Sequence, residues 1–170
     1  MRRMCGSWCM MGCRRRNCMR VDLHAEFLDL GYDLFLDRDT LKATMFAADV
    51  FQPDGAPGEI EGKIDYVYAG SFLHLFPWDQ QVTVYKRIVQ ILRPQMRSAV
   101  FGRQVGALEA KAVERERGRI WQHDAESFKR MWKVVGAETG TRWKTWAELD
   151  VAEGMGERHW GWAGDKAVEV

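Results

Sequence analysis

Four short stretches of this 170-residue chain hold side chains whose types and spacing could do chemistry. Asp22 stands directly before a helical pattern, and Asp49 interrupts an apolar run near its carboxyl end. At a strand-to-helix junction, Asp22 either caps the helix or accepts hydrogen bonds from a ribose diol at the second strand of a nucleotide-binding sheet. Asp49 either starts the following turn or offers a ligand group at the upper edge of a sheet. The third stretch is the small-residue break Ala69-Gly70-Ser71, which leads into Phe72-Leu73-His74. The neutral imidazole of His74 can take a hydroxyl proton near pH 7; the competing reading is a histidine packed in the loop before Pro77. The fourth is Arg103-Gln104, where a planar guanidinium suits an acceptor carboxylate, against the plainer fate of a solvated surface arginine.

These groups need elements to hold them, and the stretch that organises the rest is Lys63 to Leu75, KIDYVYAGSFLHL. Ile64, Tyr66, Val67 and Tyr68 form a run that reads as a central strand covered on both faces, the habit of parallel sheets. Ligands of such sheets sit beyond the carboxyl ends of the strands, which points to Gly70, Ser71 and the residues after them. Upstream, HAEFLDLGYDLFL repeats Phe27, Leu30 and Leu34 at helical spacing, widened by Leu28 and Phe35. Lys42 to Phe51, KATMFAADVF, reads as the next strand, and Gln52 to Gly58 as a loop punctuated by Pro53, Asp54, Gly55 and Pro57.

Downstream, Pro77 and Asp79 open a helix with Val82, Tyr85, Val89 and Leu92 inward, and Pro94 stops it. Ser98 to Gly102 reads as a short buried strand, so strand, helix, strand, helix, strand implies a parallel sheet. Ala107 to Arg119 reads as a charged helical or loop segment forming a solvated face. Asp124 caps a helix with Phe128, Met131, Trp132 and Val135 inward, ending at Gly136, and His123 before it is structural. RWKTWAELDV alternates as a half-exposed antiparallel edge strand, and His159 to Ala163 offers one more. The later tryptophans read as core or dimer packing.

Composition sets outer limits. Twenty-five basic residues against 24 acidic ones leave a formal charge of +1, so nothing global argues for nucleic acid, and no apolar run approaches the roughly 20 residues that span a bilayer. A cytoplasmic protein with no membrane or nucleic-acid partner is expected. Residues 1–20, MRRMCGSWCMMGCRRRNCMR, are arginine-rich, free of acids and hold all four cysteines. They lack the paired knuckles of a zinc site and the spacing of an iron–sulfur cluster, so no metal is expected. We expect a disordered basic leader over 1–20 and one domain over 21–170, with a mitochondrial presequence as the competing compositional reading.

Taken in order, Asp22 with EFLDLGYDLF, FAADVF, KIDYVYAGSFLHLFPWDQQ, ILRP and VFGRQVG resemble the fungal class I S-adenosylmethionine-dependent methyltransferases of terpenoid and meroterpenoid biosynthesis. The resemblance covers roughly Val21 to Val151. It implies an α/β, Rossmann-like sheet, mostly parallel with an antiparallel edge. It implies S-adenosylmethionine as cofactor, with Asp22 on the ribose hydroxyls, Asp49 on the adenine amine and the Val50 backbone amide on the adenine ring. Ala69, Gly70 and Ser71 would line the channel between donor and acceptor. The acceptor would be a small terpenoid-type hydroxyl or carboxyl compound, and the enzyme a homodimer. Upstream of Val21 there is no apolar strand and no acid-Gly-x-Gly turn, so an N-terminally incomplete sheet is expected. An inactive remnant of such an enzyme is the competing reading. A nicotinamide-dependent enzyme ranks last, because no G-x-G-x-x-G follows any strand.

Overall fold

Every backbone N–H and C=O must find a partner, and the ladders that provide them fall into two compact units, Met1–Ala56 and Pro57–Val170. The computed structural model describes residues 18–41, 43–52, 60–116 and 118–150, together with the backbone of 166–169.

In the first unit, β1 (Met19–Asp22) pairs in parallel with β2 (Thr44–Ala47), placing Asp22 opposite Ala47. The strand therefore begins at Met19, two residues inside the segment expected to be a disordered leader, and β2 is shorter than the Lys42–Phe51 run. Between them α1 (Ala25–Phe35) matches the expected helix. Its inward face does not. Leu28 is buried, whereas Phe27, Leu30 and Leu34 are 53%, 60% and 72% exposed. The pair of strands, about 4.8 Å apart, is too narrow to cover the length of an eleven-residue helix.

The second unit carries a three-stranded sheet in the order β3 (Tyr66–Tyr68), β4 (Ala99–Gly102), β7 (Lys166–Glu169). β3 and β4 run parallel, joined through α2 (Trp78–Ile91), while β7 runs antiparallel to β4. A parallel pair with an antiparallel edge is thus present, in a mixed α/β fold. Two details of the expected sheet change. β4, not β3, holds the middle position, and β3 is not covered on both faces: Tyr66 and Tyr68 stay exposed, the amphipathic rings meeting water, with Val67 turned inward. The antiparallel strand is β7, beyond Arg142–Asp150, where burial alternates as expected but only Lys144 forms a bridge. His159 to Ala163 lies outside the described residues.

Ala107 to Arg119 is neither helix nor loop. It supplies most of a hairpin of β5 (Lys111–Arg115) and β6 (Gly118–Gln122), in register Val113 to Ile120 and Arg115 to Gly118. Its dense charges hide the period-two pattern, and Gly118 takes the turn at φ 116°, where a side chain would be strained.

α2 packs on α3 (Ala125–Thr139). The core between them is Val84, Tyr85, Ile88, Met131, Trp132 and Val135, with the Trp132 ring 4.5 Å from Tyr85 and 4.6 Å from Trp143. Each such side chain contributes about 1.5–3 kcal/mol by leaving water. Asp124 caps α3 as the sequence indicates, accepting from the Ser127 backbone N–H at 2.6 Å. The helix runs past Gly136 and ends at Gly140, which takes the left-handed C-cap at φ 69°.

Candidate functional site

The two acids of the first unit share one end of its parallel strand pair. Asp22 closes β1, and its backbone carbonyl accepts from Ala48 N–H at 2.8 Å, carrying the pairing past β2. It is not the helix cap: His24 holds that position, and Asp22 Oδ1 accepts from the His24 backbone N–H at 3.2 Å. Arg20 lies 4.0 Å from Oδ2. Asp49 starts a turn, its Oδ1 accepting from Phe51 N–H at 2.9 Å and its carbonyl from Gln52 N–H at 3.1 Å. Val50 follows within that turn, half-buried. In both acids the carboxylate is shaped by a local backbone bond to one oxygen.

The remaining candidates belong to the second unit, at the carboxyl ends of β3 and β4. Ala69 N–H donates to the Phe101 carbonyl at 2.9 Å and Ser71 N–H to the Arg103 carbonyl at 2.7 Å, so the two exit loops are bonded together. Gly102 makes this possible, because a Cβ there would overlap the Ala69 carbonyl. Gly70 lies under the phenol of Tyr68, which a Cβ would strike. Ser71 is left-handed at φ 55°, a strained conformation for a non-glycine residue that is retained where surroundings over-determine it.

His74 sits in a single 3-10 turn, Leu73–Leu75, before α2. Its Nδ1 is buried with no hydrogen-bond partner among the described residues, and burial lowers its pKa below the usual value of 6.5. It is therefore neutral at pH 7 and able to take a proton. Gln104 Oε1 is buried and unpartnered in the same sense. Arg103 is half-buried beside it in sequence.

Behind this loop lies a polar network that periodicity did not reveal. Gln81, on α2 and fully buried, donates from Nε2 to the carbonyls of Phe76 and Trp121 at 3.0 and 2.9 Å. Its Oε1 therefore faces His123 Nε2 at 3.2 Å, which must donate, while His123 Nδ1 meets Ser127 Oγ at 2.8 Å. His123 is a structural residue, as its place before the cap suggested. Its pKa is pushed down to about 4 by burial, with Asp124 opposing and Arg130 adding to the effect.

Among the described residues no group of three or more His, Cys, Asp or Glu is arranged to hold a metal, and no helix is long and apolar enough to cross a membrane. A groove of about 460 Å³ between α3 and Thr141–Thr145 shares no residue with the candidate site.

No family model matches the sequence. Over 136 residues it is 51% identical to the O-methyltransferase phiE of a fungal species, spanning 78% of this chain and 45% of that protein. Over 151 residues it is 42% identical to the O-methyltransferase atr3 of Stereocaulon alpinum, spanning 86% of this chain and 44% of that protein. The chain is a relative of the fungal methyltransferases. It spans about half the length of the curated relatives it matches. Among solved structures, a Burkholderia thailandensis 1,6-didemethyltoxoflavin N1-methyltransferase with bound 1,6-didemethyltoxoflavin and S-adenosylhomocysteine superposes with a TM-score of 0.57 at 16% identity. The superposition spans 79% of this chain and 55% of that one. A chain from Rhodobacter sphaeroides described as a zinc-dependent alcohol dehydrogenase superposes with a TM-score of 0.61 at 11% identity, over 89% of this chain and 73% of that one. At these identities the likeness shows the fold, a Rossmann-like α/β sheet common to both chemistries.

The site residues expected from the sequence fall in separate units: Asp22, Asp49 and Val50 in the first, Ala69, Gly70, Ser71, His74, Arg103 and Gln104 in the second. The sequence did not bring out Gly102, Gln81 or Trp121. Gly102 had a signal, a glycine closing an apolar strand; the other two had none.

Proposed function

We propose that the chain carries part of an S-adenosylmethionine-dependent O-methyltransferase of fungal secondary metabolism, acting on a small terpenoid-type hydroxyl or carboxyl compound. The observation that carries this reading is the pair of buried, unpartnered polar atoms, His74 Nδ1 and Gln104 Oε1, on the bonded loops after β3 and β4, in a chain half identical to a fungal O-methyltransferase. Polar atoms are rarely buried without partners, so a ligand that pairs with them is the economical explanation.

The residues present fit the adenosine end of the cofactor. Asp22 and Asp49 stand at the carboxyl end of a parallel pair, Asp22 offering Oδ2, which lies 4.0 Å from Arg20, to a ribose hydroxyl, Asp49 its second carboxylate oxygen to the adenine amine, and Val50 a backbone N–H. When bound, S-adenosylmethionine supplies a methyl group already activated by its sulfonium. Little remains for the protein beyond holding the acceptor oxygen in line and receiving its proton. Ala69, Gly70 and Ser71 line the approach. Gln104 and Arg103 orient the acceptor, and His74 takes the hydroxyl proton as the oxygen–carbon bond forms; a carboxylate acceptor would bypass that step. The reading carries with it a cytoplasmic location and a homodimer, to be settled by fractionation and light scattering.

The test is calorimetric titration of the 170-residue chain with S-adenosylmethionine, alongside Asp22→Ala and Asp49→Ala. Micromolar binding, weakened at least tenfold in each variant, is expected. A folded chain that does not bind would overturn the reading and favour a remnant without cofactor.

A further inference from the structure

Three chain segments of the second unit are tied to one another by backbone hydrogen bonds, and each carries one buried polar side-chain atom with no partner among the described residues. Ser71–Phe76 carries His74 Nδ1, Arg103–Ala107 carries Gln104 Oε1, and Trp121–His123 carries Trp121 Nε1. The ties are Ser71 N–H to the Arg103 carbonyl at 2.7 Å, Trp121 N–H to the Phe76 carbonyl at 3.0 Å and Ala107 N–H to the His123 carbonyl at 2.9 Å. Gln81 reinforces the second by donating to both Phe76 and Trp121. The three bonds close a ring of segments.

The donor and acceptor inventory of that ring is restrictive. Gln104 Oε1 can only accept, and an indole N–H can only donate. An apolar ligand would leave both unpaired, at the full desolvation penalty of each. We propose that Trp121 is a specificity-determining residue of the acceptor pocket, and that its N–H and Gln104 Oε1 together select an acceptor bearing both a donating hydroxyl and an accepting carbonyl or carboxylate oxygen. This rests on the methyl-transfer reading and deepens it. A hydroxyl other than the methylated group donates to Gln104, the second oxygen accepts from Trp121, and His74 stands on the third segment. Trp132 provides the contrast: its Nε1 is also unpartnered, but its ring is 1% exposed, packed between Tyr85 and Trp143 beside a groove that shares no residue with these three segments. Trp121 is only half-buried, its ring edge-to-face with Trp78 at 5.5 Å.

The experiment is a titration of the full chain, labelled with 15N and followed at the indole N–H of its eight tryptophans, the Gln104 side-chain amide and the Ser71 backbone amide. The probes are 4-hydroxybenzoate, which has both groups, p-cresol, which has only the hydroxyl, and benzoate, which has only the carboxylate. Trp121 is assigned by the signal missing in Trp121→Phe, or by triple resonance if that variant does not fold. Expected are saturable shifts of Trp121 and Gln104 with 4-hydroxybenzoate, an unmoved Trp132, and affinity about tenfold above either single-group probe, the cost of one buried group left unpaired. Gln104→Ala should lose that tenfold without altering S-adenosylmethionine binding. If Gln104 and Ser71 shift while Trp121 does not, or if p-cresol binds as well as 4-hydroxybenzoate, the inference fails and the methyl-transfer reading stands. If none of the three signals moves with any probe, the pocket assignment falls with it, whatever the cofactor titration shows.

Discussion

Acid should unfold the second unit through one side chain, His123. Buried among Gln81, Ser127 and Phe128, its imidazole is neutral with a pKa pushed down to about 4, while in the unfolded chain it titrates near 6.5. Below 6.5 the unfolded state binds a proton that the folded state refuses, so stability is full above that pH and falls as pH drops toward 4. The interval, at about 1.4 kcal/mol for each tenfold in proton affinity, amounts to about 3 kcal/mol. For a unit of this size that is a substantial share of the total. The assay is urea unfolding followed by tryptophan fluorescence, to which Trp78 and Trp121 beside this residue contribute, at pH 7.5, 6.5, 5.5 and 4.5. His123→Gln keeps an amide N–H toward Gln81 but cannot titrate, so it should lose some stability at neutral pH and flatten the dependence between 6.5 and 4.5. His74 titrates in both proteins and drops out of the difference. If wild type and His123→Gln fall in parallel, the buried neutral imidazole is not what acid attacks.

Two further substitutions probe the frame of the site. Gly102→Ala should drive the exit loops apart by overlap with the Ala69 carbonyl, costing about 1–3 kcal/mol in urea unfolding and weakening protection of the Ser71 amide in hydrogen exchange; unchanged protection would refute the close approach. Gln81→Leu takes the Gln81 partner from the Trp121 carbonyl and from His123 Nε2 and leaves the Phe76 carbonyl only its bond from Trp121 N–H; it should cost about 3 kcal/mol, measured the same way, with a loss under 1 kcal/mol counting against the network.

The parts that the sequence revealed are those written in local rules. Asp124 as a cap, Pro77 and Pro94 bracketing α2, and the apolar run of β4 depend on neighbours a few residues away. So does the position of Asp22 at a strand-to-helix junction. The parts it hid depend on what crosses the fold. Gln81 looks like an ordinary helix-surface glutamine until Phe76 and Trp121 are brought to it from either side, five and forty residues away. Charges in KAVERERGRIWQ overrode the alternation that makes the hairpin, because both its long faces tolerate solvent. Tyr66 and Tyr68 misled in the other direction: aromatic residues signal a strand well and its burial poorly.

The uncovered side of α1 has a practical consequence. Leu23, Phe27, Leu30, Leu34 and Leu36 all present more than half of their surface to water, a row of aliphatic and aromatic groups along one short helix and its flanks. Such a surface takes up fluorescent hydrophobic dyes before any heating, adheres to phenyl resins and drives molecules together as concentration rises. Where self-association sets in, it stabilises the associated form by mass action, and an affinity or a melting point then depends on how much protein is in the cuvette. A dilution series therefore belongs with every titration described above.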